Sequence, residues 1–397
     1  MNISLNFGLN EKGTVIKETG FYAEFNGKEL ELSMYYDYSD KPLVLKAPCK
    51  AGDKISVRIF DALTELCVNG ILFDEEWQYG KPVYNIETLK KYCFIADAEE
   101  LKFEEKTFTN AQGWKPEKNV FVGDCIPFSD GKTFHIFYLK DRHHHTSKWG
   151  KGAHQWAHIS TKDFKTWIEH PLAVKIDEQN EGSVCTGSVY LKDGIYYAFY
   201  SVRQMDKKPS PICRAISYDG INFKKDDKFK IGLSEKYRQD NIRDPKVWLD
   251  ENGLYRMIVT TSLKTEDGNW QGCLAQLTSE DFCVWKEAEP FYMVEKYSYD
   301  FPSPWEIEPE CPDYFKYGDY YYLCSRSEYS FSRNPFGPFE KPEKISQCGC
   351  VPKMALWNGE MIFVGFIWSE NGYAGTLKIT KALQEKDGSL RFEDLSC

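Results

Sequence analysis

A repeat constrains this chain more than any other feature. A glycine-containing turn leading into an aromatic-rich strand occurs five times: GKTFHIFYLK from Gly131, GIYYAFYSV from Gly194, GLYRMIVTT from Gly253, GDYYYLCSR from Gly318 and GEMIFVGFI from Gly359. Successive glycines are 63, 59, 65 and 41 residues apart. A shorter strand-like segment precedes each turn: GDCIPF at 123–128, TGSVYL at 186–191, RDPKVWL at 243–249, ECPDYF at 310–315 and CVPKMALW at 350–357. Three copies continue into a third strand ending in a Ser/Thr–Asp turn and an aromatic: STKDFKTW at 160–167, SYDGINF at 217–223 and TSEDFCVW at 278–285. The fourth copy, SRNPFGPF at 332–339, is degenerate. Strand, turn, strand, loop, strand, turn, strand is the grammar of a four-stranded antiparallel blade. One blade cannot bury both of its faces, so five are expected to close around an axis as an all-β, five-bladed β-propeller.

Residues 1–105 lack the repeat. They read as short alternating strands (FYAEF, ELELSMYY, PLVLKA, KISVRIF, TELCVNGILF) with an Asn69-Gly70 hairpin turn. This spacing predicts a small β-sandwich-like module ahead of a propeller domain at 106–397. Glu99 to Glu117, rich in charge, is the expected linker. A length of 397 residues accommodates both units.

Composition narrows the function. Aromatic residues make up 16% of the chain, which favours strands and supplies flat platforms for sugar rings. A net charge of −10 with no basic stripe argues against nucleic acid as a partner. No apolar run approaches membrane-spanning length, so no membrane partner is expected. The 13 cysteines are an odd number without zinc-site spacing, and several, including Cys67 and Cys324, sit in apolar strands. Free, buried thiols in a reducing compartment are expected. The start, MNISLNFGLNEKG, lacks a basic stretch followed by an apolar one, so the expected location is cytoplasmic.

In a propeller the innermost strand of each blade lines the central channel. Three of the five predicted inner strands carry a carboxylate near their start: Asp124, Asp244 and Glu310. The repeat puts them at equivalent heights on different blades, so they should converge at one mouth. Such a trio suits glycosidic cleavage. One carboxylate attacks the anomeric carbon or activates water, a second donates a proton to the leaving oxygen, and a third steadies the positive ring. Arg243 beside Asp244 could bind a hydroxyl or keep that carboxylate ionised.

On these residues the chain from about 118 to 391 resembles glycoside hydrolase family 32, the invertases, levanases and inulinases. The motifs are Arg243-Asp244-Pro245 and Glu310-Cys311-Pro312-Asp313, together with HIFYLKD…KWGKGAHQWAHISTKDFKTWIEHPLAV and GYAGTLKITKAL at 372–383. The resemblance implies a retaining mechanism on a β-fructofuranoside, sucrose or a fructo-oligosaccharide, by hydrolysis or transglycosylation. Its roles fall on Asp124 as nucleophile, Glu310 as general acid/base and Asp244 as transition-state stabiliser. No cofactor is implied. The chain departs from the family's WMNDPNG motif: Gly123 replaces the Asn, and Cys125 and Ile126 follow Asp124. Leu139 stands where the family has a Gln. Those amides would meet the sugar, so a different furanoside, such as an arabinofuranoside, or a sugar-binding propeller without turnover, are the alternative readings. No counterpart of the family's C-terminal β-sandwich is expected after the fifth repeat.

The remaining candidates line the expected pocket. Trp149, next to Gly150, and Trp305 are sugar platforms, the latter with Glu306 forming the opposite wall; Thr186 and Ser188 offer hydroxyls from the second inner strand. His143-His144-His145 invites a metal reading, but adjacent residues of an extended loop point in alternating directions. No Cys or carboxylate cluster follows at ligand spacing, so no metal is expected and His143 is read as a rim contact to sugar hydroxyls. Trp156, Trp167, Phe223 and Trp285 are read as core or packing residues. Cys311 and Cys125 have no His placed to activate them and read as packing thiols.

Overall fold

A computed structural model of the chain describes residues 106–395, with breaks at 117–119, 142–153, 177–180, 205–207, 295–307 and 370–371, and six strands within the first 96 residues. Among the described residues there is no α-helix, only two 3₁₀ turns between strands. The early strands form two three-stranded antiparallel sheets. In one, Asn2–Leu5 lies between Leu43–Lys46 and Cys93–Ala96; in the other, Thr19–Phe25 lies between Lys28–Glu29 and Ile55–Asp61. The Asn69-Gly70 turn and the whole of TELCVNGILF lie outside the described residues.

The five predicted repeats each become a four-stranded antiparallel unit. Blade one runs Phe121–Ser129, Phe134–Asp141, Gln155–Thr161, Trp167–Val174. Blade two runs Glu181–Lys192, Ile195–Gln204, Ile212–Ser217, Lys224–Ile231. Blade three is Arg243–Leu249, Tyr255–Lys264, Trp270–Ser279, Lys286–Met293. Blade four is Asp313–Tyr317, Tyr320–Ser325, Glu328–Ser332, Glu343–Lys344, and blade five is Cys350–Trp357, Glu360–Ser369, Gly372–Gln384, Leu390–Asp394. A pairing of Gly375 with Val122 joins the last blade to the first. Thr107–Phe108 adds to the outer strand of blade one, opposite Ile168 and Trp167, so the expected linker is partly sheet.

The local chemistry explains the hairpins. Gly131, Gly194, Gly253, Gly318 and Gly359 all turn the first strand of a blade into the second, and all have positive φ, between 57° and 83°. An L side chain resists that conformation and glycine does not. In two blades the preceding residue is also left-handed, Asp193 at 53° and Asn358 at 50°, as a tight two-residue hairpin requires. The Ser/Thr–Asp turns recur as predicted. Asp163, Asp219 and Asp281 each accept two backbone N–H bonds at 2.7–2.8 Å from residues two and three positions on.

Blade faces bury against their neighbours, which gives one apolar cluster per interface. Ile126, Phe137 and Trp156 of blade one meet Val189, Ala198 and Tyr200 of blade two. Phe199 and Phe229 of blade two meet Met257, Val259 and Phe282 of blade three. Ile258 and Phe291 then meet Tyr314 and Leu323 of blade four. Tyr322 and Tyr329 meet Phe363 and Met361 of blade five, and Val364 and Leu377 meet Ile136 and Val122 of blade one. The fifth interface returns to the first blade and closes the ring. Trp156 and Trp167 are fully buried, as expected of packing residues. The nine cysteines among the described residues form no disulfide, and seven of them are buried.

Candidate active site

One irregularity recurs at the start of the inner strands and builds the site. In blade one, Val122 pairs with Lys140 and Cys125 with Tyr138, so the inner strand carries one extra residue. The same bulge lies between Val184 and Gly187, between Arg243 and Lys246, and between Cys350 and Lys353. A bulge re-aims the side chains it contains. Those side chains include Asp124, Thr186 and Asp244. In blade four Glu310 and Cys311 lie just ahead of the inner strand, which begins at Asp313, so Glu310 is not a strand residue as the repeat suggested. Asp244 and Cys311 have φ of 57° and 51°, strained values for non-glycine residues.

The three carboxylates converge at one end of the channel, joined by shared donors. Asp124 is buried; its Oδ1 accepts the Tyr373 hydroxyl proton at 2.6 Å and its Oδ2 faces the Cys311 Sγ–H at 3.4 Å. Asp244 accepts from the Thr186 hydroxyl at 2.7 Å through Oδ1 and from the Cys311 backbone N–H at 2.9 Å through Oδ2. Cys311 thus touches both aspartates and does more than pack beneath Glu310. Glu310 is part-exposed, and its Oε1 accepts from Arg243 Nη2 at 2.7 Å. The same guanidinium lies 3.6 Å from Asp244, which ties the third carboxylate to the second.

Arg243 is itself anchored from below. Its Nη1 donates to Glu308 at 2.8 Å and to the Asn241 side chain. Glu308, fully buried, also accepts from Ser262 at 2.6 Å and from the Asn241 amide. Burial works against the Arg243 charge, but Glu310, Glu308 and Asp244 outweigh it and hold the guanidinium protonated. On the other wall, burial and then the Asp124 charge push the Tyr373 phenol well above its ordinary range, so it stays a donor. His154 stands beside Tyr373 with its Nε2 3.0 Å from the buried carboxylate of Asp141. Asp124, Leu139, His154, Thr186, Arg243 and Asp244 line a small cleft at this end.

Gly123 accounts for the position of Tyr373. A Cβ there would stand 2.6 Å from the Tyr373 hydroxyl and 3.0 Å from the Leu139 carbonyl oxygen. The glycine that replaces the family's asparagine therefore admits the phenol to Asp124.

The expected residues divide three ways. Asp124, Asp244, Glu310, Arg243 and Thr186 meet at the site. Ser188 does not: its hydroxyl donates to the Pro245 carbonyl at 2.9 Å and accepts the Val247 N–H at 3.1 Å, stitching two inner strands together deeper in the channel. Bulge geometry separates it from Thr186, because the register shift ends at Gly187. Trp149, Trp305, Glu306 and His143 lie outside the described residues. Four residues escaped the sequence reading: Tyr373, Glu308, Asn241 and His154. Each lies in or beside a motif quoted above: Tyr373 in GYAGTLKITKAL, His154 in KWGKGAHQWAHIS, Asn241 two residues before Arg243 and Glu308 two residues before Glu310, but the motifs did not mark them out as site residues.

Over 211 residues the chain is 25% identical to sucrose-6-phosphate hydrolase of Vibrio alginolyticus, covering 51% of this chain and 40% of that protein. Over 323 residues it is 24% identical to sucrose-6-phosphate hydrolase of Escherichia coli, covering 70% and 61%. It therefore spans less than two thirds of each of those curated relatives. Fructan 1-exohydrolase IIa from Cichorium intybus superimposes with a TM-score of 0.57 at 16% identity, covering 75% of this chain and 61% of that one. A Bombyx mori family 32 β-fructofuranosidase gives 0.52 at 15% identity, covering 70% and 65%. These likenesses show the propeller fold. The profile of the glycosyl hydrolases family 32 N-terminal domain matches residues 108–341, a span that contains all three carboxylates and both of their motifs, and on that match the chain belongs to glycosyl hydrolase family 32.

Proposed function

We propose that the chain is a retaining glycoside hydrolase of β-fructofuranosides such as sucrose or a fructo-oligosaccharide. The observation that carries this reading is the meeting of Asp124, Asp244 and Glu310, from three different blades, at one end of the channel, where Cys311 bridges the two aspartates and Arg243 ties Glu310 to Asp244. The activities for which these relatives are named, hydrolysis of sucrose 6-phosphate and of fructans, support the same glycone.

In this proposal Asp124 attacks the anomeric carbon. Its lone pair forms the new C–O bond as the bond to the leaving oxygen breaks. Glu310 delivers a proton to that oxygen, then takes one from the water that later releases the sugar from Asp124. Asp244, held by Thr186, Cys311 and Arg243, hydrogen-bonds sugar hydroxyls and steadies the oxocarbenium-like ring. Arg243 fixes Glu310 at the cleft edge, where the part-exposed carboxylate can reach the leaving group. The companion proposals are a boundary near residue 105 between the early sheets and the propeller, and a reducing, cytoplasmic setting suited to thiols outside disulfides.

Gly123 and Leu139 remove two amides that would contact the glycone, so substrate choice is the point to test. Aryl β-fructofuranoside, sucrose, 1-kestose and aryl α-arabinofuranoside should be assayed side by side. The proposal expects turnover on the fructosides and little on the arabinofuranoside. Preference for the arabinofuranoside would reassign the glycone, and sugar binding without turnover would make the chain a lectin-like propeller.

A further inference from the structure

The channel has a second end, and the fructoside reading leaves it unused. Below the bulges, the C-terminal halves of all five inner strands surround a cavity of about 460 Å³. That is within the range of small-molecule sites. Phe128, Tyr190, Trp248, Tyr314 and Met354 supply its walls, one from each blade. Leu249, Phe336 and Leu356 stand at its rim, between 44% and 49% exposed. Large apolar side chains left in water around an apolar hollow mark a place where something apolar enters.

The polar groups inside are few and unbalanced. Lys246 and Asp313 form an ion pair at 2.5 Å, and Asp313 also accepts backbone N–H bonds from Met354 at 2.7 Å and Tyr314 at 3.1 Å. Asp313 is therefore satisfied. Lys353 is not matched in this way. It is only 3% exposed, lines the cavity, and its ammonium donates to the Gly187 carbonyl oxygen at 2.7 Å. Among the described residues no carboxylate pairs with it. The acids at the mouth have partners already: Asp250 holds Arg256 and Glu251 holds Lys316. A lysine carries three donors, and a buried charge without a counter-ion is costly.

We propose that this cavity is a binding site for an amphipathic monocarboxylate. The carboxylate meets Lys353 inside the channel, and the aliphatic or aromatic body runs along Phe128, Trp248 and Tyr314 towards the rim. The site is separate from the carboxylate cleft and does not depend on the chain's proposed substrate.

The test is titration calorimetry of the full chain with octanoate, 1-octanol and octylammonium below their aggregation concentrations. Octanoate should bind saturably, octanol about ten-fold or more weaker for want of the charge, and octylammonium not at all. Lys353→Met should cost octanoate about ten-fold in affinity while leaving octanol unchanged. Leu356→Glu, at the exposed rim, places a like charge at the entrance and should weaken octanoate several-fold; it carries the test if Lys353→Met fails to fold. Equal binding of octanol and octanoate, octanoate affinity indifferent to either variant, or no saturable octanoate heat would each overturn the proposal.

Discussion

Tyr373 and Asp124 are 249 residues apart in sequence and share a 2.6 Å hydrogen bond at the proposed nucleophile. A hydrogen bond to a charged group contributes about 1.5–3 kcal/mol. In Tyr373→Phe the buried carboxylate loses the phenol donor, in a setting where water cannot easily replace it. Fructoside kcat/KM should fall roughly ten- to a hundred-fold, with the fold retained, as steady-state kinetics and a thermal melt would show. Wild-type kinetics in Tyr373→Phe would mean that the phenol only fills space. No sequence signal links the two residues, because the contact exists only once blade five closes on blade one. Asn241 and Glu308 were hidden for a related reason: they act on Arg243 and not on a sugar, so no sugar chemistry singles them out. The carboxylates were legible because a repeat fixes their height without any knowledge of their partners.

At the scale of the element, what the sequence made legible was the part governed by short-range chemistry. The hairpin glycines must be left-handed and the Asp turns must satisfy their own backbone, so both announce themselves locally. The inner-strand bulge was not legible, since one extra residue is invisible until the partner strand is known. That is why Ser188 was grouped with Thr186 although the register carries it away from the site. Blade one also holds three histidines that the sequence reading did not single out. His135 Nδ1 lies 3.0 Å from His158 Nε2, and the His158 ring packs 4.4 Å from that of His170. Burial lowers His135 to about 4 despite Asp130, and His170 to about 4 despite Asp219; His158 is pushed well below its ordinary value by burial and its two neighbours. Between pH 6.5 and about 4 the unfolded chain therefore binds protons that the native one refuses. Stability from this cluster is full above pH 6.5 and is lost as pH falls towards 4. Urea midpoints should drop between pH 7 and pH 5, and His135→Phe, placed against Phe128 and Phe137, should reduce that slope. A midpoint indifferent to pH over this range would contradict the assignment.

For the whole molecule, five interblade cores hold a ring whose two channel ends differ in character, one acidic and hydrogen-bonded, the other apolar. Short segments that could not by themselves hold a site become one when the ring brings their bulged ends together. The proposed chemistry has a stereochemical consequence. Double displacement inverts the anomeric centre twice, so proton NMR of the first-formed fructose should show the retained β-anomer, and an inverted product would exclude a covalent route through Asp124. The central claim is tested most directly by comparing the wild-type chain with Asp124→Asn on an aryl β-fructofuranoside and on sucrose, with circular dichroism as the check on folding. The amide keeps the size of the side chain and its bond to Tyr373 but cannot act as the nucleophile. The wild type should turn over both substrates and the folded variant should lose at least about 10³-fold in kcat on each. Retention of wild-type turnover by a folded Asp124→Asn would place the nucleophile elsewhere and contradict the account.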